Sequence, residues 1–193
     1  MITHISGKLV EKSPTNVVVD CNGIGYFIHI SLHTFSQLTN EEHVKLLTHF
    51  QVKEDAQQLY GFATSAEREI FRLLISVSGI GTNTARTMLS SLTPKQVREG
   101  IACEDVALIQ SVKGIGLKTA QRVIIDLKDK VLKIYDIDES VAFSNNTNKD
   151  EALSALEVLG FAKKQSDRVV AKIIAQQPDA TVEIIIKEAL KNL

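Results

Sequence analysis

The sequence predicts a mixed, multi-domain chain. A five-stranded β-barrel occupies residues 1–63, an all-α domain of paired helical hairpins 64–135, a flexible linker 136–148, and a small three-helix domain 149–193. Three observations carry this. Apolar residues alternate or run in short β-branched blocks up to residue 63, then recur at helical spacing from Ser65. The nine residues VSGIGTNTA (Val77–Ala85) return nearly unchanged as VKGIGLKTA (Val112–Ala120), 35 positions later. The stretch DIDESVAFSNNTN (Asp136–Asn148) is polar, rich in Asn and Ser, and has little periodicity, so it reads as linker.

In the first segment, THISGKLVEK reads as a strand whose Gly7 marks a bend or bulge. NVVVDC and GYFIHIS are β-branched or aromatic runs on either side of Asn22-Gly23. Asn-Gly between two such runs is the strongest short hairpin signal. SLHTFSQL reads as a short helix, and VKLLTHFQV and QQLYGF are two more strands joined by Lys53-Glu54-Asp55-Ala56. Five short strands with one helix between the third and fourth suggest a Greek-key barrel of the oligonucleotide/oligosaccharide-binding (OB) type, with another small β-barrel as the alternative.

From Ser65 the pattern is helical. SAEREIFRLLISV places Ile70, Phe71, Leu74 and Val77 on one face. Ser65, Arg68 and Glu69 lie near its start at imperfect capping-box spacing. TNTARTMLSSL is a second helix, and TPKQVREGIA a third, with Thr93 as N-cap and Pro94 at N1. CEDVALIQSV is a fourth, and LKTAQRVIIDLKDKVLKIY completes the set. After the linker three helices follow; Gly160 closes the first and Pro178 sits before the third. A segment this short is small for an independent core, so a partner is expected to complete its apolar surface.

Composition limits the function classes. Hydrophobic residues make up 44%, ordinary for a globular protein. No apolar run approaches the roughly 18 residues of a membrane span. The start MITHISGKLV lacks the basic and apolar regions of a signal peptide. Cys21 and Cys103 have no metal-ligand spacing and suit a reducing compartment, so a cytoplasmic location is expected. The net charge of −1 argues against a polyanionic partner until it is divided. Residues 1–63 carry 4 basic and 6 acidic side chains, 64–133 carry 11 and 7, and 134–193 carry 7 and 10. Only the middle third, which holds both copies of Gly-Ile-Gly, is positive, and the local field governs binding.

Gly-x-Gly suggests phosphate. The dinucleotide fingerprint needs a preceding strand and a third glycine, but helices precede both copies and the third positions are Thr84 and Thr119. The P-loop spacing is also absent. What remains is a helix-hairpin-helix unit. Gly79 and Gly114 end a helix in the left-handed region. Ile80 and Ile115 bury and anchor the turn. Gly81 and Gly116 let backbone N–H groups approach an anion at the positive end of the next helix. The small Ala85 and Ala120 let the paired helices close up. A packing turn without a ligand would use glycine in the same way; duplication inside the one positive segment favours phosphate. Two hairpins about a pseudo-twofold would grip both strands of a duplex without reading its sequence. Structure-selective, salt-sensitive DNA binding is the expectation.

Catalysis is poorly supplied. Helix-hairpin-helix modules also occur in base-excision glycosylases and nucleases, and a glycosylase needs a downstream carboxylate and a pocket for a flipped base. Asp126 lies ten residues past Gly116, but aromatic content is 5% and Trp is absent. His4, His29, His33, His43 and His49 all lie in the β segment without ligand spacing to carboxylates. No catalytic residue, metal or cofactor is expected. A pure protein-interaction scaffold would account for the tail but not for the positive middle third.

The segments THFQVKEDAQQLYGF, SGIGTNTA and KGIGLKTAQRVIIDLKDK, set in the order barrel, double hairpin, linker and three-helix tail, closely resemble the RuvA family. These are bacterial Holliday-junction-binding subunits of a branch migration machine, and the resemblance covers the whole chain. It implies a non-catalytic, flat homotetramer, single or stacked in pairs, that holds a four-way junction open in recombination, DNA repair and the SOS response. The implied partners are junction DNA, the hexameric ATPase RuvB, which would hydrolyse the ATP, and the junction resolvase RuvC. The alternatives are a non-specific duplex-binding helix-hairpin-helix protein and an accessory subunit of a DNA repair enzyme.

Residue by residue, Glu54 and Asp55 match an acidic pin at the tetramer centre; without the resemblance they read as solvated hairpin-tip charges. Gly79, Gly81, Gly114 and Gly116 match backbone phosphate binders. Lys118, Thr119 and Arg122 match the basic positions after the second hairpin, with a solvated helix face as the other reading. The chain departs from the family at Leu117, where a second lysine is usual, and at Ser78 and Asn83, which replace Asn and Lys. Arg86, one turn on, would restore one charge, and Asn83 and Arg86 complete the expected DNA-binding set. The tail matches the motor-binding domain, with Leu156, Leu159, Phe161, Ile185 and Leu190 as contact or core residues.

Overall fold

The computed structural model describes residues 1–39, 42–140, 148–177 and 180–193, with 132–140 and 150 described by their backbone alone. Met1–Asp136 form one compact unit and Ile137–Leu193 a second.

The first unit begins with strands β1 (His4–Lys12), β2 (Asn16–Cys21) and β3 (Ile24–Ile30), helix α1 (Leu32–Gln37), then β4 (His43–Val52) and β5 (Gln57–Phe62). They close a barrel in the order β1-β2-β3-β5-β4. Every pairing is antiparallel except β3 with β5, where Ile28 faces Leu59 and Ile30 faces Gly61. This is the OB arrangement, with its helix between the third and fourth strands. Val17, Val19, Ile28, Ile30 and Leu46 fill the interior, each at 1% exposure or less. Their alternation is the period of two the sequence displays. Asn22 (φ 55°) and Gly23 (φ 89°) form the expected hairpin turn.

Gly7 is not the bulge. The register of β1 on β2 shifts between Leu9 and Glu11 instead. At Gly7 a Cβ would lie 2.1 Å from the Asp20 carbonyl oxygen, so glycine there permits close backbone approach between strands.

Helices α2 (Ser65–Ile75), α3 (Thr82–Ser91), α4 (Pro94–Ala102), α5 (Val106–Gln110) and α6 (Leu117–Ser140) follow. The cap of α2 is Thr64, one residue before the expected start, and its hydroxyl accepts from the Glu67 amide. Glu67 does not complete a capping box. Its carboxylate is fully buried and takes hydrogen bonds from the Ser31 and Thr34 hydroxyls, the latter at 2.6 Å. Burial pushes its pKa up, against those two hydrogen bonds. Thr93 and Gln96 form a complete capping box with Pro94 at the first helical turn, as the sequence indicates.

Barrel and helices share a core. Tyr60 and Phe62 of β5 pack with Phe71, Leu74, Met88, Ile101 and Leu127. Their ring centroids lie 5.2 Å and 4.9 Å from that of Phe71, and full burial of a Phe is worth about 1.5–3 kcal/mol. Helix α6 runs to Ser140 and so takes in the first residues assigned to the linker; residues 141–147 lie outside the described residues.

The second unit packs α7 (Asn148–Val158), α8 (Lys163–Gln176) and α9 (Val182–Asn192) around Ala152, Leu156, Val170, Ile185 and Ala189. Gly160, at φ 96°, terminates α7, and the Phe161 amide returns to the Leu156 carbonyl. Pro178 lies outside the described residues.

Candidate nucleic-acid interface

The two Gly-Ile-Gly turns are one structure built twice. Gly79 has φ 96° and Gly114 φ 94°. The Ile80 amide donates to the Val77 carbonyl at 3.0 Å, and the Ile115 amide to the Val112 carbonyl at 3.1 Å. Ala85 and Ala120 donate to the carbonyls of Gly81 and Gly116, each at 2.9 Å, which opens α3 and α6. Val77, Ile80 and Ala85, like Val112, Ile115 and Ala120, are all buried in one core. The apolar members of the repeat anchor the turns, and the glycines stay outside.

Gly81 caps α3 without a side chain, at φ −86° and ψ 169°, a conformation open to any residue. A Cβ at Gly81 or at Gly116 would meet no protein atom within 4 Å. Neither packing nor strain inside the protein requires glycine there. What a side chain would cover is the uncapped N–H groups of the following turn, the positive end of the helix. Such an open helix start has the geometry that suits an anion.

Side chains distinguish the copies. Stepping by 35 pairs Ser78 with Lys113, Thr82 with Leu117, Asn83 with Lys118, Thr84 with Thr119, and Thr87 with Arg122. Lys113, Lys118 and Arg122 are exposed and form no ion pair among the described residues. Lys113 is not among the residues that the motif alone points to, although laying the nine-residue repeat on itself exposes it. Arg122 reaches across, its Nη1 donating to the Ser78 carbonyl at 3.3 Å. Thr119 is half-buried, Asn83 is exposed and Leu117 is 51% exposed.

Among the described residues the first hairpin carries no free cation of its own. Arg86 is half-buried, and its Nη1 donates to the Thr15 carbonyl at 3.3 Å and lies 3.2 Å from His29 Nδ1. It ties α3 to the barrel rather than standing at the hairpin mouth. Burial and the Arg86 charge hold the His29 pKa below the ordinary histidine range, so the ring is neutral and accepts. Thr82 is buried and hydrogen-bonded to the Tyr60 hydroxyl at 2.9 Å, a second tie to the barrel.

Glu54 and Asp55 occupy the exposed tip of the β4–β5 turn, closed by the Lys53 amide on the Ala56 carbonyl at 2.8 Å. Asp126 is exposed on α6. Among the described residues no group of three His, Cys, Asp or Glu side chains could hold a metal ion, and no helix is long and apolar enough to cross a membrane.

In the tail, Leu156 and Ile185 are 0% and 1% exposed and belong to the domain's own core, which leaves them no surface for a partner. Phe161 packs partly against that core, whereas Leu159 and Leu190 are exposed. Val158, at 86% exposure, is an exposed apolar residue that periodicity did not single out.

An OB barrel joined through one core to two helix-hairpin-helix units with open helix starts defines a class of nucleic-acid-binding protein. Residues 1–61 match the RuvA N terminal domain, 71–129 the SAM-like helix-hairpin-helix tandem, and 147–193 the RuvA C-terminal domain. The chain is 66% identical to a protein of Flavobacterium psychrophilum and 65% identical to one of Christiangramia forsetii, in both cases over the full length of both chains. It is 48% identical, again over the full length of both, to one of Bacteroides thetaiotaomicron. Each of these relatives is named Holliday junction branch migration complex subunit RuvA. The chain belongs to the RuvA family.

Proposed function

We propose that this chain is a non-catalytic subunit that binds four-way junction DNA and recruits a RuvB-type hexameric ATPase for branch migration in recombination and repair. The observation that carries this is the pair of open, uncapped hairpins in one positive helical domain of a chain that matches RuvA relatives over their whole length. Roles divide along the chain: the barrel (1–63) carries the acidic tip, 64–135 holds phosphates, the stretch between α6 and α7 serves as the linker, and 149–193 meets the motor.

The two hairpins work unequally. Both offer backbone N–H groups, from the turn at Gly79 and Gly81 and the turn at Gly114 and Gly116. The cations stand around the second: Lys113, Lys118 and Arg122, with Thr119 beside them. Arg122 brings its charge to the mouth of the first hairpin through the Ser78 carbonyl, and Asn83 of that hairpin is exposed. Arg86 serves the joint with the barrel.

Four such protomers, singly or as stacked tetramers, multiply these weak contacts through avidity. Glu54 and Asp55 then bring two carboxylates per protomer to the centre, where they repel phosphates and keep strands apart at the crossover. ATP hydrolysis belongs to the motor, RuvC-type resolution follows at the same junction, and the setting is the cytoplasm during the SOS response. In the tail, Leu159, Leu190 and the exposed part of Phe161 supply the apolar contact with the motor.

The test is a gel-shift titration at two salt concentrations, comparing an immobile four-way junction with linear duplex of equal length. Junction preference with steep salt dependence supports the reading, and E54Q/D55N then tests the pin in a strand-separation assay. Equal affinity for both DNAs overturns the junction assignment in favour of non-specific duplex binding.

A further inference from the structure

The tail has a second face distinct from exposed Val158 and Leu159. Along α8, Lys164, Arg168 and Lys172 recur every four residues and so share one stripe. All three are exposed, and none forms an ion pair among the described residues. Of the other cations of the tail, Lys149 pairs with Asp167, Lys163 with Glu157 and Lys191 with Glu188, whereas Lys187, on α9, forms no ion pair among the described residues.

Beside the stripe lies a cleft of about 500 Å³, lined by Arg168, Lys172, Val169 and Ile173, with Gln176 and Asn192 at its end. A second hollow of about 420 Å³, reaching Ala162, Lys164 and Gln165, shares Arg168 and Val169 with it. The two make one groove from Ala162 to Gln176, about 20 Å long at the helical rise.

We propose that this groove docks an acidic, amphipathic segment of a partner protein. Carboxylates spaced one helical turn apart meet the three cations, and an apolar side chain between them covers the half-buried Val169, beside the edge of the core residue Ile173. The apolar part of the lining, at Val169 and Ala162, favours one class of ligand. A phosphate backbone has nothing to place on it, whereas a Leu or Ile of a peptide loses water there. Arg168, common to both hollows, can take a carboxylate with two parallel N–H donors. Three like charges in a row repel one another in the free tail, and an anionic segment relieves that repulsion. The cations of this groove lie on α8, whereas the apolar contact proposed for the motor uses Leu159, Phe161 and Leu190.

The experiment uses the full chain and a fluorescent amphipathic peptide of about four helical turns, with Glu every fourth position and Leu between, read by anisotropy at about 50 and about 300 mM salt. The wild-type chain is expected to bind the peptide, about tenfold more weakly at the higher salt. R168Q/K172Q is expected to lose about tenfold in affinity with its far-UV circular dichroism unchanged, whereas K113Q/K118Q keeps peptide binding. R168E/K172E is expected to prefer the same peptide with Lys in place of Glu. Equal peptide affinity of wild type and R168Q/K172Q overturns the proposal. So does a loss that follows K113Q/K118Q instead. A fall in duplex DNA affinity of R168Q/K172Q without change in peptide binding would make the groove a nucleic-acid contact, and would equally overturn it.

Discussion

Arg122 Nη1 donates to the carbonyl oxygen of Ser78 across 44 residues of chain, which fastens the helix after the second hairpin to the loop of the first. The bond ties the two repeats together and holds a guanidinium at the loop of the first hairpin.

Charge removal around the second hairpin should therefore read differently from charge removal at Arg86. K113Q and R122Q should each weaken junction binding, by several-fold to tenfold, and flatten the dependence of log affinity on log salt by about 1 for each phosphate no longer neutralised. R86Q should leave that slope unchanged and lower the melting temperature, because it cuts the ties to Thr15 and His29. Gel-shift series across salt, with thermal melts of the same proteins, separate the two. A reduced slope in R86Q would reassign Arg86 to DNA.

The glycines of one turn should split in their effects. G79A puts a Cβ on a backbone at φ 96° and should cost about 1–2 kcal/mol of stability. G81A meets no steric conflict and no φ penalty, so it should melt like the wild type. It should nevertheless bind junction more weakly, because its methyl stands over the open N–H groups. A G81A protein with full DNA affinity would sink the phosphate-seat reading.

Acidification should loosen the joint between barrel and helices. The folded His29 pKa lies below its ordinary value, so the neutral ring is the form that folding favours. That contribution is fully present above the unfolded pKa near 6.5, and is lost as pH falls through the lower folded value. The sign predicts a falling melting temperature below about pH 6.5. H29N, which cannot titrate, should show a shallower decline, seen by differential scanning fluorimetry across pH. Parallel profiles for both proteins would place the acid sensitivity elsewhere.

Tail substitutions should divide by burial. L156A empties a fully buried site and should cost about 2–5 kcal/mol, enough to unfold so small a domain. L159S and V158S alter exposed positions and should leave the circular dichroism of the tail intact. Both should weaken capture of a RuvB-type ATPase in a pull-down with the full chain. Wild-type capture by both would move the motor contact off this end of α7.

What the sequence determined by itself was local. Asn22-Gly23, Thr93-Pro94-Gln96, Gly160 and the repeated Gly-Ile-Gly each specify a turn or a cap through φ preferences and hydrogen bonds spanning a few residues. Period alone sorted strands from helices, and the repeat alone located both hairpin turns. The tertiary structure decided where long or amphipathic side chains spend their polar groups. Arg86 and Arg122 look alike as cations a turn beyond a hairpin, yet one is held by Thr15 and His29 and the other by Ser78. Those partners lie 71, 57 and 44 residues away, beyond the reach of any local pattern. Gly7 reads as a bulge until the Asp20 carbonyl is seen against it. Leu156 and Leu159 differ by three positions, yet one is sealed in the core of the tail and the other faces water. The physical reason is the same each time. Backbone conformation answers to near neighbours, but burial and hydrogen-bond choice are fixed only when distant elements pack together.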